Sequence, residues 1–468
     1  MKRRFIDIKQ SLRNSLWEGA LSGPFNTIST GVLLTGFALF LGASPLEISI
    51  IIALPFLTQI VQFMSPLITD RIGSRKKITA YSTLFSRLIW VVIALLPALL
   101  LFDYDPVPLF IVLSIISLIF FNLGLNSWLS WMSDLVPRRF RGRFFGKRNM
   151  YVGLVSMGML VLTGLALDFF RNVHLEGFGY SLIILVGVVL AYLSFRFMLL
   201  IDEVPVPESE KVSPRMLWRQ IRDNRKFRSI LSFLAVWTIV TGVAAPFYYV
   251  HLYENLHWNY THATLYAAIT AGLPFLLQPI WGKLLDKVGH KPLLQICISG
   301  VSIIPLIWLL MAPEWSWILW IEAFISGTFW AGLNITLFNI ILYGLPGEKK
   351  ASALAVVSSI TGLLNFAAML LGGFIVTWFA FIEFRIGAWA FSPFHITFFL
   401  SFLGRLLMSR FARTIEEPEA KDIGVVAQII QTGVAKRVSL GRQFWIFRGK
   451  SQTEISIEEN AEDTKSSC

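Results

Sequence analysis

Long apolar runs separated by short polar connections fill the first 412 residues. They fall near residues 18–42, 46–69, 78–102, 107–133, 149–170, 178–201, 229–253, 262–285, 291–312, 315–343, 352–381 and 388–411. A hydrocarbon layer of about 30 Å takes roughly 20 helical residues to cross, close to the length of each run. Backbone polar groups in lipid must be satisfied within the protein, which leaves helices or a closed barrel. Barrel strands would alternate apolar and polar residues over about ten positions. These runs are continuous instead. The pattern predicts an all-α integral membrane protein with twelve transmembrane helices.

The connections differ in charge from one side to the other. On the N-terminal side stand Lys2, Arg3, Arg4, Lys9 and Arg13, then the bases from Arg71 to Lys77. Arg138, Arg139, Arg141, Arg143, Lys147 and Arg148 follow, and then the long loop from Lys211 to Arg228. On the opposite side "GASPLE", "FDYDPVP", "YENLHWNYTH" and "APEWSW" hold no Lys or Arg, with Arg171 and Arg385 as exceptions. Lys and Arg collect in cytoplasmic loops, so both termini are expected in the cytoplasm. The start "MKRRFIDIKQSLRNSLW" has no short apolar stretch with a small-residue cleavage site after it and reads as a retained leader. Residues 202–228 run from an acidic, proline-rich stretch into a basic amphipathic segment, expected to lie along the inner leaflet. The expected organisation is a six-helix bundle over 1–201, a linker over 202–228, a second six-helix bundle over 229–413, and a polar, largely disordered cytoplasmic tail over 414–468.

Composition agrees with a bilayer as solvent: 55% hydrophobic and only 15% charged in 468 residues, with mean hydropathy +0.64. The net charge of +12 would suggest nucleic acid in a soluble chain. Here the basic inner loops account for it, and no nucleic-acid partner is expected. Cys297 and Cys468 supply neither a disulfide framework nor a metal site. No cofactor is expected. The short loops suggest a monomer in a plasma membrane, of the bacterial inner-membrane type.

One connection is denser in charge than its neighbours. "SPLITDRIGSRKK", residues 65–77, places Asp70, Arg71, Arg75, Lys76 and Lys77 around Gly73. It has a partner in "GKLLDKVGHKPL": Asp70 matches Asp286, Gly73 matches Gly289 and Arg75 matches Lys291, each 216 positions on. A second pair joins Pro137 and Arg141 to Pro346 and Lys350, each 209 positions on. Two such matches in the same order point to an internal duplication. Glycine at 73 allows a turn that other residues resist, and Asp70 is placed to accept from a neighbouring helix N-terminus.

The pattern Gly-x-x-x-Asp-Arg-x-Gly-Arg-Arg/Lys between spans two and three resembles the hallmark of the major facilitator superfamily of transporters, and the likeness extends over the whole twelve-span chain. Pro66 stands where the first glycine is usual, and Ser74 precedes Arg75; the second copy keeps Gly282 but has Lys287 and His290. The resemblance implies two pseudo-symmetric six-helix bundles. It also implies a cytoplasmic latch between them built on Asp70, Arg71, Gly73, Arg75 and Lys76, with Gly282, Asp286, Gly289 and Lys291 in the second copy. Asp134, Arg141 and Gly142 in the next connection are candidate partners.

In transporters built from repeats the substrate sits near the midplane between the halves. Candidate cavity residues are Asn26 and Thr30 in span one, Gln59 and Gln62 in span two, and Asn122 and Asn126 in span four. The second half offers Trp237, Tyr248 and Tyr249 in span seven, Gln278 in span eight, Trp330 and Asn334 in span ten, and Asn365 in span eleven. The superfamily resemblance implies that spans one, four, seven and ten line the cavity. Amides in membrane helices also serve as glue between neighbours, at around 1 kcal/mol, and tyrosines as interfacial anchors. Taken together the set suits a neutral, hydrogen-bonding organic solute. Arg87, about 15 Å along its helix from Lys77, is an expensive intramembrane charge, with a substrate role and snorkelling to the interface as its two readings. Candidate coupling acids are Glu322 and Glu18, with Asp168 and His395 nearer the outer side; the coupling ion would be a proton or sodium.

A secondary or facilitative transporter of a small organic solute, working by alternating access, is the leading reading. Drug export is the alternative, although span five lacks the Gly-Pro-x-x-Gly-Gly ending seen in many drug antiporters of the superfamily. A membrane enzyme would need a clustered catalytic set on a water-facing loop, and the loops hold none. No Gly-x-x-x-x-Gly-Lys-Ser/Thr loop is present for ATP. A receptor on the same fold would bind ligand without moving it.

Overall fold

In the computed structural model, residues 7–137, 139–204, 224–344 and 350–412 are described. The amphipathic linker, Pro346, the tail and the side chains of Asp70 and Lys350 lie outside the described residues. Among the described residues, ten helices are long and apolar enough by themselves to cross a membrane. The two remaining spans are the first, broken into Ile8–Ile28 and Gly31–Phe40, and the twelfth, Phe394–Phe411, which carries Arg405 and Arg410. The others are Pro45–Thr58 continued to Ile72 (span two), Arg75–Ile93 (three), Val107–Leu135 (four), Arg141–Asn172 (five) and Glu176–Leu199 (six). In the second half they are Arg225–Gly242 with Phe247–Glu254 (seven), Tyr260–Val288 (eight), His290–Leu309 (nine), Ile318–Gly344 (ten) and Lys350–Trp378 (eleven).

The helix starts have local causes. Ser44 and Glu47 form a reciprocal capping box at span two, and Ser74, Asn224 and Asn259 cap spans three, seven and eight with their side-chain oxygens. Two boundaries differ from expectation. Span five begins at Arg141, so Arg141, Arg143, Lys147 and Arg148 stand on a helix and not on a loop. Residues 389–391, expected at the start of span twelve, form instead β2 Trp389–Phe391 of a two-stranded hairpin, paired antiparallel with β1 Phe384–Ile386 of the connection before it. Gly387 at φ 62° makes its turn, and the run of aromatics there had hidden that signal.

Two bundles result. In the first, span one packs on spans five and six, and span three on spans four and six; in the second, span eight packs on ten, and span nine on ten and twelve. Spans two and eleven, and spans five and eight, form the seam between the bundles. Glycines bring the seam backbones close: a Cβ on Gly164 of span five would stand 2.0 Å from Thr264 Oγ1, and one on Gly373 of span eleven 2.7 Å from Ser49. Leu154, Leu162, Leu165 and Phe169 point outward along span five, where lipid replaces water as the neighbour.

Candidate functional site

Between the bundles lies a cavity of about 680 Å³, lined from the first half by residues such as Thr30, Asn149 and Ser156 and from the second by Tyr249, Thr270 and Asn334. A smaller one of about 340 Å³ enters the second bundle and shares Tyr249, Thr270, Ser326 and Trp330 with it. Both meet broken helices. Span one is interrupted where Thr30 bonds back to the Asn26 carbonyl at 2.7 Å and Gly31 adopts φ 61°. Span seven is interrupted before Pro246, which has no N–H to continue the helix. Irregular backbone at membrane depth is tolerated where it lines a cavity, and Gly31 and Ala245 do so. The breaks at 31 and 246 lie 215 positions apart, close to the repeat displacement.

Of the residues singled out from sequence, Thr30, Tyr248, Tyr249, Trp330, Asn334 and Asn365 line these cavities. The span-two and span-four amides do not. Gln62 Nε2 donates to Asn122 Oδ1 at 2.8 Å, Asn122 Nδ2 donates to Thr58 Oγ1 at 3.0 Å, and Asn126 Nδ2 donates to the Gln62 carbonyl at 3.2 Å. They tie span two to span four. Gln59 stands at the seam beside Gly362. Trp237 is buried against Phe233 and Trp330. Asn26 and Gln278 are exposed, outside both linings.

The two candidate acids have different surroundings. Glu18 is buried and accepts from Arg148 Nη2 at 2.7 Å; Arg148 also donates to the Ser15 carbonyl and lies 4.3 Å from the Trp128 ring centre. Glu322, fully buried, accepts from the Tyr266 hydroxyl through Oε2 at 2.5 Å, while its Oε1 makes no hydrogen bond. It lines the smaller cavity together with Arg405, a residue the sequence reading missed. Arg405 donates to the Val301 carbonyl at 3.1 Å and to the Tyr248 hydroxyl at 3.4 Å. No ion pair joins Glu322 to Arg405.

Arg87 offers a parallel. It is buried, donates to the Ala191 carbonyl at 2.9 Å and stands over the Phe25 ring, away from both cavities. Residues 87 and 301 are 214 positions apart, and so are 191 and 405. The same bridge thus occurs in each half with donor and acceptor exchanged, between spans three and six and between spans nine and twelve. That exchange is why aligning arginine with arginine fails to reveal Arg405.

At the arginine-rich end Gly73 and Gly289 take φ 68° and 91°, as the tight turns require. Arg75 donates to Asp134 at 2.7 Å and to Ser130 at 2.9 Å, and Lys76 donates to the Ile201 carbonyl at 2.7 Å. Arg141 donates to the Ser133 carbonyl. These bonds tie spans three, four, five and six of one bundle together. Arg71, Gly142 and Asp286 are exposed, Gly282 is half-buried on the last turns of span eight, and Lys291 opens span nine. At the far end the bonds cross between bundles. The Asp168 carboxylate accepts the N–H groups of Tyr260 and Thr261 at 2.9 and 2.8 Å, which caps the first turn of span eight. The Tyr260 hydroxyl donates to Glu176, and the Tyr253 hydroxyl to the Val32 carbonyl.

A sequence profile described as Major Facilitator Superfamily matches residues 19–344 and 239–449. This chain belongs to the major facilitator superfamily. Among solved structures of the superfamily, a mutant of the nucleoside transporter NupG superposes with TM-score 0.67 at 13% identity, covering 88% of this chain and 100% of that one. A D-xylose-proton symporter superposes with TM-score 0.66 at 16% identity, covering 88% and 99%. At such identity the likeness is one of fold. The multi-drug resistance efflux pump PmrA of Streptococcus pneumoniae (strain ATCC BAA-334 / TIGR4) is 27% identical over 169 residues, 34% of this chain and 39% of the length of that protein. The superfamily's fold accounts for the paired bundles, the seam of spans two, five, eight and eleven, and the cavity between them.

Proposed function

We propose that this protein is an alternating-access carrier that moves a small organic solute across a cell membrane, and that the conformation described is open toward the arginine-rich, cytoplasmic side. One observation carries this reading. Between described residues, hydrogen bonds join the bundles at the far end, through Asp168, Glu176 and Tyr253, beyond a central cavity lined by both halves. Closure there and a cavity behind it is one limb of an alternating cycle. In the opposite limb the latch set around Asp70, Gly73, Arg75 and Asp286 closes the cytoplasmic side.

The finer reading is proton coupling through Glu322, an acid in the cavity wall with one oxygen still to be satisfied. Glu18, already paired with Arg148, is a structural acid in this scheme. Export of drug-like compounds is the second reading, favoured by the partial likeness to PmrA. The protein acts as a monomer, with both termini in the cytoplasm of a bacterial-type inner membrane.

The test is flux in sealed liposomes. A panel of nucleosides, sugars, amino acids and cationic dyes is offered to the reconstituted full chain, with and without an imposed pH gradient. A gradient should drive accumulation of a member of the panel in the wild-type protein and leave equilibration alone in Glu322→Gln. Flux that ignores the gradient in the wild type would remove the proton reading; binding without flux of any bound compound would remove the carrier reading.

A further inference from the structure

The smaller cavity is built as a receptor with two opposite charges. Among the residues lining it, Glu322 and Arg405 are charged and the others are neutral. Both are almost completely buried, at 0% and 2% exposure. Arg405 Nε makes no hydrogen bond, and Glu322 is held through Oε2 by Tyr266 with Trp308 and Ser326 beside its carboxylate. Opposite charges in a low-dielectric interior draw together unless something holds them apart, because the desolvation cost of each is recovered through its partner. In the first bundle Glu18 and Arg148 do meet, at 2.7 Å.

In the second bundle each charge is instead tethered to its own wall. Tyr266 holds Glu322, and the Val301 carbonyl with the Tyr248 hydroxyl holds Arg405. The two share aromatic neighbours: the Arg405 guanidinium stands 5.9 Å from the centre of the Trp330 ring, and Trp308 packs against both Tyr248 and Tyr266. Tyr249 and Trp308 complete the flat walls, with the Trp308 indole beside the Glu322 carboxylate. Guanidinium stays charged at every physiological pH, so with Glu322 ionised the pocket is neutral overall yet strongly dipolar. A ligand of single charge would satisfy one wall and leave the other charge buried and alone. A ligand carrying both charges satisfies each.

We propose that this pocket takes a compact aromatic zwitterion, its ammonium on Glu322, its carboxylate on Arg405 and its ring between the aromatic walls. The proposal rests on the carrier reading, for which it names the substrate class, and it replaces the neutral solute expected from the amides of the sequence.

The test uses purified full-length protein and two matched series of probes. One is 4-(aminomethyl)benzoic acid with 4-methylbenzylamine and 4-methylbenzoic acid; the other is L-phenylalanine with its amide and its N-acetyl derivative. Binding is read by calorimetry. At least one zwitterion should bind tenfold or more tighter than both of its singly charged relatives, which corresponds to ~1.4 kcal/mol. Glu322→Gln should abolish the advantage over the carboxylate-only relative, and Arg405→Gln the advantage over the ammonium-only relative. A misfolded variant would lose all binding and could not give this crossed pattern, and the wild-type comparison needs no variant. Equal binding of zwitterion and single charges, or no binding in either series, overturns the pocket. Zwitterion binding with the crossed pattern but no flux in liposomes leaves the pocket standing and overturns the carrier; flux of a different solute, unaffected by both substitutions, does the reverse.

Discussion

In the first bundle a buried acid and a half-buried base meet, Glu18 with Arg148 at 2.7 Å, while in the second Glu322 and Arg405 face one cavity without meeting. The halves match in helix order and in the position of the arginine-to-carbonyl bridge. They differ in whether the charges pair with one another inside the protein. A closed pair ties spans one and five into one rigid unit. An open pair keeps two desolvated groups ready to bind, which costs stability and supplies recognition. On the proposal above, the first bundle is the firmer frame and the second holds the charged groups that meet the cargo.

The strongest way to break this contrast is to remove half of the closed pair. Arg148→Met leaves Glu18 buried and unpaired and should cost about 3–5 kcal/mol, seen as a large fall in the unfolding midpoint of the purified protein. Adding Glu18→Leu should restore most of it. Glu322→Gln, whose Tyr266 bond survives with a neutral acceptor, should cost about 1 kcal/mol or less while removing gradient-driven flux. Equal loss of stability in Arg148→Met and Glu322→Gln would erase the distinction between the bundles.

Gly164→Ala comes next. Its methyl would meet Thr264 Oγ1 at 2.0 Å and the Tyr260 carbonyl at 2.9 Å, so spans five and eight must separate, at about 1–3 kcal/mol. Thermal unfolding in detergent measures it, and an unchanged midpoint would show that the seam yields freely. Asp168→Asn keeps the shape of the far-end cap but removes its charge from the span-eight N-terminus. A loss of about 1 kcal/mol there shifts the two conformations roughly fivefold toward the outward-open one. Spin labels at Val173 and His257, on the two bundles at that end, should report a longer-distance population. The smallest effect belongs to Gln62→Leu, which breaks one interhelical bond at about 0.6 kcal/mol and should leave flux intact. Loss of flux in that variant would return Gln62 to the transport path.

Asp168 shows the same piece of chemistry at a second place. A carboxylate accepting from a neighbouring helix N-terminus is what the sequence leads one to expect of Asp70, at the basic end, whose side chain lies outside the described residues. In this conformation Asp168 makes such a contact at the far end, across the seam from Tyr260 and Thr261. From sequence Asp168 was a weak coupling candidate, since nothing local announces that another helix begins opposite it.

Twelve spans and the two tight glycine turns were legible in the residues alone. Lipid makes them so: every stretch that crosses must satisfy its own backbone and hide its charge, a demand met within some 20 consecutive residues. Which polar side chains face the cavity was decided by tertiary structure. Gln62, Asn122 and Asn126 look from sequence like Asn334 and Asn365, yet three of them tie helices together and two face open space. The face of a helix that meets a cavity depends on how its neighbours rotate and tilt it, and no local rule carries that information. For the same reason Arg405 emerged as a cavity residue only once span nine, offering the Val301 carbonyl, had been placed beside it.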